Sequence, residues 1–275
     1  MGRRFCERSG SFPKEDYVTG TTLKAILAAG VFSLTGHASL ISLTNDFSIG
    51  NGNPNGQWAY QDNTTNLSLE TPLNNGNALY PAISNGYWGV GNDLNTNAPD
   101  LFKAQVNGSS AGQTNNDFLA GDIVGHSPND GSTLFERWTA PSAGTITNLA
   151  LLVWYAHSSV TRSNDFALFD TSAMLTSGTV STTTNPNRGS AATYNNVAGF
   201  TVAAGDVISL GLTKSAGQAA GSLAGESLNF TFTPTVSGVP EPATIWLFAA
   251  ALALCATRGL FKTGAFFHRS RGDFH

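Results

Sequence analysis

The chain has 275 residues, is 41% hydrophobic and only 12% charged, and carries 30 Gly, enough for one large domain or two small ones with targeting ends. Its abundance of Asn, Thr, Ser and Gly favours turns and short strands, because these residues compete with or weaken a helical backbone. Residues 39–238 hold 5 Lys and Arg against 13 Asp and Glu, a net −8, which excludes the basic face that nucleic-acid phosphates require.

Residues 1–38 read as a signal peptide. The apolar run Ala25 to Leu34 follows Lys24, and Gly36-His37-Ala38 places small residues where a signal peptidase reads, so cleavage is expected after Ala38. The leader is long and includes Glu7, Glu15 and Asp16; translation starting at Val18 would give the shorter leader VTGTTLK. Both cysteines, Cys6 and Cys255, lie outside residues 39–238. That stretch therefore has no disulfide, thiol nucleophile or thiolate metal site.

Residues 39–238 are expected to form one domain. In its first part, Gly52-Asn53-Pro54-Asn55-Gly56 and Asn74-Asn75-Gly76-Asn77 are turn-rich, with short strands expected at Gln57 to Gln61, Tyr87 to Val90 and Leu101 to Val106. The apolar pattern then strengthens. Thr133 to Trp138 reads as a strand, Ala140-Pro141-Ser142-Ala143-Gly144 as a turn, and Thr145 to Tyr155 as a long, mostly buried strand. Phe166 to Phe169 and Met174 to Val180 form a predicted hairpin, and Val197 to Val202, Val207 to Leu212 and Leu228 to Thr233 complete the set. Turns every roughly 8 to 12 residues, with no amphipathic helix between strands, predict an all-β, jelly-roll-like β-sandwich.

The end of the chain changes character. Pro240 and Pro242 stiffen an extended stalk, Ile245 to Ala256 is apolar without a helix breaker, and Arg258, Lys262, Arg269 and Arg271 follow. A helix over 243–261, with Arg258 snorkelling to headgroups, predicts a single transmembrane span whose cationic end stays in the cytoplasm. Val239, Pro240, Glu241, Pro242 and Thr244, then the apolar run and Arg258, resemble the PEP-CTERM sorting signal of exported bacterial proteins. That resemblance implies membrane anchoring over 239–275, processing by an exosortase, and delivery to the cell envelope or surface. A second resemblance rests on Asn53 to Tyr60, Arg137 to Gly144 and Val202 to Asp206: these stretches look like exported proteins with this tail whose central domain is similar to carbohydrate-binding-module jelly rolls.

Four aromatics beside Gly-Asn loops, Trp58, Tyr60, Tyr87 and Trp88, are candidates for a polysaccharide platform, with Tyr155 a further candidate; Trp138 and Trp154 sit in the strongest strands and are assigned to the core. Glu70, Glu136 and Glu226 are the only Glu in residues 39–238, so a hydrolase or lyase would draw its paired carboxylates from them. Gly125-His126-Ser127-Pro128-Asn129 misses the nucleophile-elbow pattern at its last position and reads as a loop. His126 and His157 are the only histidines of the domain and have no zinc spacing, whereas a structural Ca²⁺ would draw on Asp122 and Asp130. No catalytic residue is assigned. Three readings stay open: a non-enzymatic envelope protein that contacts polysaccharide, a secreted polysaccharide-acting hydrolase or lyase, and a purely structural matrix subunit without exposed aromatics.

Overall fold

A computed structural model describes residues 36–235, apart from 95, 97, 112–115 and 158–159. Nearly all of the signal segment, the sorting motif, the 243–261 helix and the basic tail therefore lie outside the described residues. Among the described residues, no helix is long and apolar enough to cross a membrane.

The described residues form fifteen strands, two single-turn α-helices and two 3-10 turns (Gly108–Ala111 and Arg188–Ser190), the strands and α-helices in the order β1 (Ser39–Ser42), α1 (Leu43–Asp46), β2 (Trp58–Asp62), β3 (Thr65–Asn66), β4 (Ser68–Glu70), α2 (Tyr80–Ile83), β5 (Tyr87–Gly89), β6 (Asp100–Lys103), β7 (Ile123–His126), β8 (Leu134–Thr139), β9 (Gly144–Tyr155), β10 (Ser163–Asp170), β11 (Ala173–Ser181), β12 (Ala192–Asn196), β13 (Phe200–Val202), β14 (Val207–Lys214) and β15 (Leu223–Pro234). They make two antiparallel sheets. One runs β12-β9-β15-β7-β6-β5-β4, with β1 added to β15 and β13 to β9; the other runs β11-β10-β14-β8-β2-β3. The expected all-β sandwich is present.

Strict alternation builds the interior between the sheets. On β8 Leu134, Glu136 and Trp138 are buried while Phe135 and Arg137 are partly exposed, with the guanidinium carbon 4.2 Å from the ring centroid. On β15 Ala224, Leu228, Phe230 and Phe232 join the same interior, where Trp138 meets Phe230 and Phe232 edge-on at 5.0 and 5.2 Å.

On β9 the phase slips once. Asn148 takes φ 52° and, with Leu149, stands opposite a single residue of β15, Phe230. The bulge lets Ile146 point inward ahead of it and Leu149, Leu151, Val153 and Tyr155 point inward behind it. The far end of β9 is buried on both faces. Trp154 enters a second apolar cluster on the outer face of the larger sheet, with Leu79, Ala82, Ile83, Tyr87, Phe102, Phe118, Val124 and Leu223. Gly225 stands directly opposite it on β15, and a Cβ there would lie 2.1 Å from the indole. That glycine is needed for close approach.

Three boundaries differ from expectation. The strand expected at Val197 to Val202 shrinks to β13, and β12, not expected, lies before the exposed Val197; the one expected at Leu101 to Val106 ends at Lys103; and Ile123 to His126, read as loop at its end, is the strand β7.

Candidate functional site

The four platform aromatics are not at the surface. Trp58 and Tyr60 follow the inward alternation of β2, opposite Trp138 and Glu136 of β8. Trp88 joins the same interior and stacks on Tyr60 with centroids 6.2 Å apart, while Tyr87 enters the outer cluster. Their exposures are 3% or less, so none offers a face to a sugar. Tyr155 is buried as well, and Trp138 and Trp154 are core residues as expected. Among the described residues, the exposed large hydrophobics are all aliphatic.

What these aromatics do is hold a loop. The Trp58 indole donates to Asp46 Oδ2 at 3.2 Å and the Trp88 indole donates to the Ser48 carbonyl at 3.1 Å, which fastens the end of α1 to the smaller sheet and the segment after it to the larger. The Tyr87 hydroxyl donates to the Gly91 carbonyl.

The pinned segment forms one wall of a surface groove of about 360 Å³, lined by Phe47, Ser48, Ile49, Asn85, Gly86, Lys103, Ala104 and Gln105. Asn85 and Gly86 come from the turn after α2, and Lys103 ends β6. Gly86, at φ +112°, lets the turn approach β4, where a Cβ would stand 3.1 Å from the Glu70 carbonyl. Lys103 Nζ donates to the Thr44 carbonyl at 2.8 Å, and the Ser84 hydroxyl donates to Gln105 Oε1 at 3.3 Å. Carboxamides, a hydroxyl and an ammonium thus share one hollow with an aliphatic edge at Ile49. Such a set bonds hydroxyl-rich or carboxylate-bearing ligands. None of the lining residues was marked by the sequence pattern, because the groove is made by three separate segments.

Of the three glutamates, Glu136 and Glu226 face each other across the sandwich, at 0% and 1% exposure, and Glu70 lies apart on β4. Burial raises both buried carboxyls above the usual carboxylate range, and Glu226 raises Glu136 further. A polysaccharide hydrolase needs its two carboxyls facing a cleft; these face each other inside the core, where no chain of sugars reaches.

The cation site expected from Asp122 and Asp130 does not form. Asp122 Oδ2 accepts from Arg188 at 2.6 Å and from the Leu119 amide at 2.8 Å, whereas exposed Asp130 caps the Ser132 amide at 2.9 Å. Among the described residues, no three His, Cys, Asp or Glu side chains gather as a metal site. The donor set does not fit Ca²⁺.

A polar cluster at the β7 end escaped the sequence pattern. The Ser127 hydroxyl donates to Asn164 Oδ1 at 2.7 Å, Asn164 donates to the Ser222 carbonyl at 2.8 Å, and Arg162 donates to the Gly221 carbonyl at 2.7 Å. His126 and His157 are both lowered to about 4, first by burial and then by Arg162 and, for His157, by His126. Opposite His126 on β6 stands Asp100, which burial raises to about 8. These groups fasten strand ends to one another.

No protein-family model matches the chain, and no curated protein matches it. Among solved structures it is similar to a family 35 carbohydrate binding module from an environmental isolate, at 18% identity over 40% of this chain and 77% of that chain with TM-score 0.25. It is also similar to the family 35 carbohydrate binding module of Clostridium thermocellum, at 15% identity over 40% of this chain and 75% of that one, TM-score 0.25. A third is the C-terminal CBM6 of a marine laminarinase from Zobellia galactanivorans, at 18% identity over 40% and 79%, TM-score 0.23. The two sheets themselves, rather than these likenesses, define the class of this protein as an antiparallel β-sandwich.

Proposed function

We propose that this chain is an exported bacterial envelope protein that displays a polysaccharide-contacting β-sandwich. Signal peptidase removes residues 1–38, the 243–261 helix halts the chain in the membrane, and an exosortase processes it near Val239-Pro240-Glu241-Pro242. The ordered series of Pro-Glu-Pro motif, apolar run and basic residues supports the sorting steps. The groove supports the contact role, since Ser48, Asn85, Lys103 and Gln105 bring hydrogen-bonding groups into one hollow. This convergence is the observation that carries the reading.

Two measurements test it. Fractionation with mass spectrometry of the mature C-terminus is expected to find envelope material ending near Pro242; intact chain through His275, free in the cytosol, overturns the sorting. Retention on polysaccharide matrices is expected to fall roughly tenfold in Asn85→Ala/Gln105→Ala, two lost hydrogen bonds at ~1 kcal/mol each accounting for at least that. Equal retention by parent and variant removes the groove from the reading. Failure of the parent to bind any matrix favours a structural matrix subunit, the second reading, which draws on the lack of exposed aromatics among the described residues.

A further inference from the structure

Glu136 sits at the middle of β8, with Tyr60 of β2 and Leu210 of β14 opposite it on the flanking strands. Glu226 sits near the start of β15, between Ile123 of β7 and Val153 of β9. The two strands belong to opposite sheets, so the carboxyls meet in the layer between them. Gly125 makes the room: a Cβ there would lie 2.9 Å from Glu226 Oε1.

With both groups ionised, none of the four carboxyl oxygens has a donor among the described residues. Two like charges in a nonpolar interior, without a cation, are far costlier than one retained proton. A proton on one carboxyl turns it into a donor toward the other and closes a hydrogen bond between Glu136 and Glu226.

The surrounding elements offer no relief for the charged form. From β2 comes the Tyr60 hydroxyl, which burial keeps un-ionised and which donates to neither carboxyl. From β6 comes Lys103, in the same row as Ile123 and Glu226, but its ammonium donates to the Thr44 carbonyl. From β7, β9 and β14 come Ile123, Val153 and Leu210, all apolar.

We infer that Glu136 and Glu226 form a proton-holding clasp between the two sheets, closed while the pair keeps at least one proton and sprung when the last is lost. The pair accordingly ties the sheets most firmly in acid and loosens them as the surroundings turn alkaline. The sign follows from burial raising both carboxyls: their contribution is complete below the ordinary range near ~4.3 and is lost as pH climbs through the raised folded values. For each proton that the folded pair keeps after the unfolded chain has lost it, the folding equilibrium constant falls about tenfold per pH unit.

The test uses full-length chain in detergent, melted at about pH 5, about pH 7 and about pH 9, as the parent and as Glu136→Gln, Glu226→Gln and Asp100→Asn. Parent Tm is expected to fall between about pH 7 and about pH 9, above the range in which the histidines titrate. Either Gln variant flattens that fall, because its amide donates to the remaining carboxyl without a titrating proton, and Asp100→Asn keeps the part due to the pair. Parallel curves for the parent and both Gln variants overturn the clasp. So does a Ca²⁺-dependent rise in alkaline Tm that the Gln variants lack, since that outcome makes the pair a cation site. If the variants do not fold, infrared spectra of parent chain carrying ¹³C at the glutamate carboxyls decide: a protonated glutamate band at neutral pH is expected, and its absence overturns the proposal.

Discussion

The long-strand half of the domain, from β8 to β15, and the loop-rich half, from β1 to β7, put their buried aromatics to different uses. In the first, Trp138, Phe230 and Phe232 are interior because alternation on adjacent long strands places them there. In the second, Trp58, Tyr60 and Trp88 are interior, and an ordered loop is hydrogen-bonded to the two indoles. Regular pairing makes a body; loops fastened to that body make the groove, and the fastening itself consumes the indoles.

The sharpest way to break the first half is Trp138→Ala. It empties a buried site packed by two phenylalanines and is expected to cost ~3–5 kcal/mol, read as a lowered denaturant midpoint or outright failure to fold. Acid comes next. His126 and His157, both held neutral with values lowered to about 4, contribute stability that is complete above ~6.5 and lost as pH falls toward about 4, at about 1 kcal/mol per pH unit for each. Thermal melts across that range are expected to show the fall, and His157→Gln to halve it. A smaller change isolates the second half: Trp88→Phe removes the donor to the Ser48 carbonyl, costs ~1 kcal/mol, and weakens matrix retention more than it weakens folding. Equal effects on both would show that the groove wall does not depend on this bond. Arg188→Ala is expected to matter least, under ~1 kcal/mol in a melt, because its ion pair with Asp122 is 44% exposed on the arginine side.

The same division explains what was legible beforehand. β8, β9 and the β10–β11 hairpin follow from period-2 apolar patterns bounded by turn residues, and so does the sandwich. β12 was missed because Ala192–Asn196 carries little apolar alternation; it pairs with β9 through its backbone. β7 was missed at its end because Gly125-His126-Ser127-Pro128 reads as a turn, although Gly125 is there to admit the Glu226 carboxyl. The platform reading failed for a related reason. Gly-Asn loops beside Trp58 and Trp88 mark irregular backbone, but whether such a loop stands away from an indole or folds over it depends on partners such as Asp46 and the Ser48 carbonyl. The Glu136–Glu226 pair joins residues ninety positions apart, beyond any local pattern.

One residue in β9 carries an outsized burden. Because Asn148 is the surplus position of the β9 bulge, deleting it acts on three-dimensional structure as a frameshift acts on a message. Every side chain on one side of the cut would swap sheet faces, and no conservative replacement elsewhere could restore the reading phase; only a compensating insertion along β9 would.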